Sequence, residues 1–143
     1  MSHKSAKIAS LIESLRGQQL DAHYLGYFEC FNQQLFFEAH EVLEELWLPQ
    51  RGQVNDLFYK GLIQLAGAFV HVQKKRRQPA IALFKLAQNN LAGYPAPYES
   101  LDIDEVQNLI RIWLAHLETD AQFQAVGETT PWPILSIDEP ERN

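Results

Sequence analysis

An imidazole and a carboxylate four residues apart on a helix offer a nitrogen and an oxygen to the same point in space, and His40 and Glu44 have that spacing. They lie in the stretch Phe36-Phe37-Glu38-Ala39-His40-Glu41-Val42-Leu43-Glu44-Glu45-Leu46-Trp47. At about 100° per residue, Phe36, Ala39, Val42, Leu43 and Leu46 fall on one apolar side. His40, Glu41 and Glu44 then sit at the edge of that side. Partial loss of water there strengthens the coupling between an imidazole and a carboxylate and moves their pKa values. Glu38 and Glu45 fall on the outer side and read as solvated helix charges.

A second strip, Lys60, Gln64, Gly67 and His71, recurs at i, i+4, i+7 and i+11 and shares one face of a later helix. Leu62, Leu65, Phe69 and Val72 occupy the more apolar sides of that helix. Gly67 has no Cβ and would let another helix approach closely. The short loop from Pro49 to Val54 predicts an antiparallel pair, with His40, Glu41 and Glu44 facing Gln64 and His71 across the interface.

Three chemistries compete for this group. A divalent metal would take His40, Glu44 and His71 as an open three-ligand set. Metal-free acid–base work or small-ligand binding would have Glu44 orient His40, with His71 or Gln64 holding a polar group. A structural network would have His40, Glu44, Gln64 and His71 satisfy one another and fix helix register. The string His40-Glu41-x-x-Glu44 falls short of the zinc-peptidase pattern, which needs histidine at position 44. Helical di-iron proteins use Glu-x-x-His, whereas here Phe37 and Ala68 stand three residues before His40 and His71. The chain contains no nucleophile motif, no Gly-rich phosphate loop and no dinucleotide fingerprint.

The elements that must position these groups read as helices. A first helix from about Lys4 to Arg16 carries Ile8, Leu11, Ile12 and Leu15 on one stripe and stops at Gly17. A short aromatic helix spans about Asp21 to Phe31. Asn32 then reads as the cap of a helix from Gln33 to Leu48, ended by Pro49. The long helix runs from near Asn55 to Arg76, and Pro79 opens another that ends before Gly93. The last, from about Asp104 to Glu118, has Val106, Leu109, Ile110, Trp113, Leu114 and Leu117 on a 3.6-residue stripe. Thr130 to Leu135 reads as an extended segment laying Trp132 and Leu135 into a groove of the bundle, and residues from 138 onward read as a loose tail. No useful run alternates with period two. The predicted fold class is therefore all-α: a single-domain multihelical bundle over residues 1–137, of about five to six helices, with an extended C-terminal tail.

Composition narrows the function classes. With 46% hydrophobic and 21% charged residues the chain matches an ordinary globular domain, and no stretch approaches the roughly 20 apolar residues of a membrane span. Residues 1–14 lack the continuous apolar core of a secretory signal, so a cytoplasmic location is expected. The net charge of −6 repels polyanions, and nucleic acid is not an expected partner. The run Lys74-Lys75-Arg76-Arg77 is a local exception that reads as cations complementing the C-terminal carbonyls of the long helix. The lone Cys30, between Tyr27, Phe28 and Phe31, reads as a small buried residue. Trp47, Trp113 and Trp132 read as core or edge fillers, and His3, His23 and His116 have no evident partner. A different class of function is an interaction module, such as a homodimer formed through exposed aromatics at Phe28, Tyr59 or Trp132.

Phe31-Asn32, the string from Phe36 to Trp47, and Lys60-Gly61-Leu62-Ile63-Gln64-Leu65-Ala66 together resemble the small bacterial helical family catalogued as domain of unknown function 309. The resemblance covers about residues 24 to 92. It implies an all-helical domain and supports treating His40, Glu41, Glu44, Trp47, Gln64 and His71 as one local group. It implies no activity, substrate or cofactor. Lys74 to Gln78 stands where the family often has a small-residue turn, and the Trp132 tail lies outside the family core.

Overall fold

The structure, a computed structural model, describes residues 6–17, 20–119 and 130–138. It is all-α: α1 (Ala6–Leu15), α2 (Ala22–Asn32), α3 (Phe36–Trp47), α4 (Asp56–Gln73), α5 (Arg77–Leu91) and α6 (Ile103–His116), with no strand among the described residues. The expected start of the first helix at Lys4 and the loose tail beyond Asp138 lie outside the described residues.

Consecutive helices run antiparallel, as contacts at their opposite ends show. Trp47, at the end of α3, meets Asp56 at the start of α4, while Gln73 at the far end of α4 donates to the Gln34 carbonyl just before α3. The start of α5 likewise meets the end of α6. The Arg77 guanidinium donates to the Leu117 carbonyl and, at 2.6 Å, to that of Glu118. Arg77 therefore serves the C-terminus of α6 rather than that of the long helix, which stops at Gln73, short of the expected Arg76. A left-handed Lys75 (φ 57°) closes α4, with the Arg76 amide on the His71 carbonyl at 2.8 Å.

Helix boundaries follow local chemistry. Gly17 adopts φ 86° just past α1, as its position predicts. Asp21 caps α2 through the His23 amide at 2.7 Å, and Asp102 caps α6 through the amides of Asp104 and Glu105. Asn32 does not cap α3, which begins at Phe36 behind an uncapped Leu35. Its side chain instead grips the Leu135 backbone in both directions, donating to the carbonyl and accepting from the amide at 2.8 Å each. Between α3 and α4 the loop is closed by Asp56, whose carboxylate accepts from Trp47 Nε1 and from the Gly52 amide at 2.7 Å each.

The core is continuous through all six helices and the tail. Phe69 lies at its centre, with ring centroids 4.9–5.6 Å from Trp113, Phe36, Phe84 and Phe31. The buried residues expected on α3 (Phe36, Ala39, Val42, Leu43) and on α4 (Leu62, Leu65, Phe69, Val72) are all fully enclosed, although Leu46 is only half-buried. Cys30 is buried, and burial raises its thiol pKa to about 11, so it packs as an inert small residue. The α4–α5 contact closes over Gly61, where an added Cβ would lie 2.8 Å from Leu91 Cγ. Gly67 is the looser of the two, at 3.3 Å from Leu83 Cδ1.

Residues 130–138 form the expected extended tail. Trp132 stacks on Trp113 (6.0 Å, 8° between planes) and packs beside Phe36, and Leu135 is buried. Ile137 bridges to Leu101, and the Asp138 amide bonds the Ser100 carbonyl. Phe28 and Tyr59 are only 4% and 6% exposed and belong to the core, so neither supplies the exposed aromatic surface expected of an interaction module.

Candidate functional site

Between them α3, α4 and α5 leave a groove of about 290 Å³, lined by Phe37, His40, Ile63, Gln64, Gly67, Val70, His71 and Leu83 and by no residue of the tail. That is close to the lower size limit, roughly 300 Å³, of ordinary small-molecule sites. Antiparallel packing of α3 on α4 brings His40 opposite the stretch from Gln64 to His71, as the sequence pattern predicts. Gly67 supplies the floor: without a side chain there, Leu83 of α5 meets α4 directly and the space above stays open. Phe37 stands at the rim, 57% exposed, with its ring roughly parallel to that of His40 at 6.1 Å.

His40 is flanked by its own helix. Its Nε2 lies 3.5 Å from Glu44 and its Nδ1 3.6 Å from Glu41, close enough for attraction but too long for hydrogen bonds. The Nδ1 atoms of both His40 and His71 are shielded from water and have no hydrogen-bond partner. Desolvation, helped by the nearby cations Arg76 and Lys74, lowers the pKa of His71 and keeps its ring neutral near pH 7. The His71 Nδ1 faces neither a donor nor an acceptor, so its partner-forming edge is Nε2, which can donate or accept according to the tautomer.

Not every predicted member of the group is here. Gln64 lines the groove, but its amide oxygen accepts from Asn90 Nδ2 at 2.7 Å, so it does not complete a network with the histidines. Glu41 and Glu44 touch the site only through His40. Trp47 is tied to Asp56 with Arg51 over its ring at 5.9 Å, and Lys60 is exposed; neither lines the groove. Glu45, expected to be simply solvated, lies 3.1 Å from His23 Nε2, and His116 packs edge-on to Trp113 at 5.5 Å. Among the described residues, no group of three or more His, Cys, Asp or Glu side chains converges as a metal-binding cluster.

Sequence periodicity missed the apolar wall: Phe37, Ile63, Val70 and Leu83. Phe37 was the available signal, a large apolar residue off the buried stripe and beside a histidine.

The family comparison fits this geometry. The family described as domain of unknown function (DUF309) matches residues 24–83. Over those residues the chain is similar to that family. The matched segment runs from within α2 into α5, and every residue lining the groove, from Phe37 to Leu83, falls inside it. The docked tail falls outside. No curated protein and no solved structure gives a significant match to this chain. None of the helices in the described residues is long and apolar enough to cross a membrane.

Proposed function

We propose that the protein binds a small, mainly apolar molecule in the α3–α4–α5 groove, with His40 and His71 meeting its polar group. The observation that carries this reading is the pairing of an open apolar concavity with two imidazoles that hydrogen-bond neither to each other nor to Gln64. A buried network has partners for its polar atoms. These histidines instead stand among Phe37, Ile63, Val70 and Leu83, the mix of apolar wall and few polar groups that typifies small-molecule sites. Glu44 beside His40 fits the orienting role such a site needs. An organic ligand is favoured over a divalent metal because His40, Glu44 and His71 do not form a converging three-ligand cluster.

The test is a thermal-shift screen of small apolar compounds against the native chain, Gly67→Leu and Phe37→Ser. Compounds that raise the melting temperature of the native chain should lose that effect in Gly67→Leu, whose side chain enters the groove, and weaken in Phe37→Ser. A library without a binder, or binders that act equally on all three proteins, would refute the reading.

A further inference from the structure

Resting on that reading, we propose that the ligand is an apolar monocarboxylate whose carboxylate sits at the His71 end of the groove. The groove is electrostatically polarised along its length. At one end α4 turns into α5 through Lys74 and Arg76, both exposed, whose amides bond the His71 carbonyl at 3.1 and 2.8 Å. Their charged side chains therefore start within one helical turn of the imidazole. The first turn of α5 carries no acidic residue to offset them. The carbonyls at the end of α4 are themselves engaged: Val70, His71 and Val72 accept from the amides of residues 74–76. Their negative ends are thereby muted.

Glu38, in the first turn of α3, lies near enough to Cys30 to help raise its thiol pKa and does not line the groove, and the other nearby acidic groups of α3 lie the other way. Glu41 and Glu44 follow His40 toward the end of α3, which packs against the start of α4, far from Lys74. A carboxylate bound among His71, Lys74 and Arg76 thus meets an imidazole that can take the Nε2–H tautomer to donate to it, and two cations, while its apolar body lies along Ile63, Gly67 and Leu83. An ammonium group at that end would meet repulsion. In a chain of net charge −6, this local inversion of sign beside an apolar groove is the complementarity that selects the ligand class.

The experiment compares 4-phenylbutyrate, 4-phenylbutyramide and 4-phenylbutylamine by calorimetric titration of the native chain and of Lys74→Gln/Arg76→Gln, with Lys60→Gln, which removes one positive charge outside the groove lining, as a control. The carboxylate should bind about tenfold more tightly than the amide, and the double variant should weaken it about threefold to tenfold while leaving the amide within about twofold. Lys60→Gln should change neither. Equal binding of carboxylate and amide, tighter binding of the amine, or a carboxylate indifferent to the double variant would overturn the carboxylate assignment and leave the groove standing. Binding by none of the three would count against the groove itself.

Discussion

Adjacent residues on α3 face two different concavities: Phe36 is fully buried and Phe37 is 57% exposed. The cleft that Phe36 borders is filled by the chain's own tail. Trp132 stacks on Trp113, Leu135 is buried, and Asn32 satisfies the Leu135 backbone on both sides. The groove that Phe37 borders holds no segment of the described chain, and the imidazole Nδ1 atoms beside it are unpartnered. Among the described residues, folding has completed one cleft and not the other. The lesson is that polar atoms next to a cavity are informative only once their partners have been traced: Asn32 is bonded to the tail, whereas the Nδ1 atoms of His40 and His71 have no partner among the described residues.

That contrast is open to attack at both clefts. The largest effect belongs to Trp132→Ala, which should destabilise the protein by about 2–4 kcal/mol in urea unfolding, less than a fully buried tryptophan because this one is only partly buried. Asn32→Ala should cost about 1–3 kcal/mol by stranding the Leu135 amide and carbonyl. A cost near zero for either would mean the tail is not part of the folded unit.

Gln34→Gly should stabilise by about 0.5–1 kcal/mol, since Gln34 ends α2 at φ 61° and strains a side chain that the fold hardly uses. On the open side, Phe37→Ser should change stability by less than about 0.5 kcal/mol, and a loss as large as that of Trp132→Ala would show the groove to be ordinary core.

The smallest effect is one of pH. The folded pKa of His71 lies below its ordinary 6.5, so the unfolded chain binds the extra proton first. Stability contributed by the neutral ring is present above pH 6.5 and is lost as pH falls from there through the lowered folded value. His71→Leu should flatten that part of the curve measured by chemical unfolding. An unchanged slope would place the ring in water rather than against the groove wall.

The sequence revealed the helical architecture because its apolar stripes are wide and its stops are chemically sharp, as at Gly17 and Pro49. It placed His40 on the same groove as Gln64 and His71, though not Glu41 and Glu44, because an i, i+4 register and a short loop leave antiparallel helices little choice. Partner choice was less legible. Asn32 suits a helix cap by type, but its role depends on a tail 103 residues away. Gln64 was one residue type among many able to bond a histidine, and it bonds Asn90 on the next helix. His23 met Glu45 for the same non-local reason. Arg77 looked like part of a cation run until the end of α6 came to rest against it. Helix-wheel reasoning assigns faces within one helix, while the groove arises where three helices fail to close.

The most direct test of the open groove is methyl and imidazole NMR of the full chain titrated with the tightest phenylalkyl compound. Saturable shifts at Ile63, Leu83 and the His40 and His71 rings, with Trp132 and Leu135 unmoved, are the predicted result. Shifts centred on Trp132, or none at the two histidines, would contradict it.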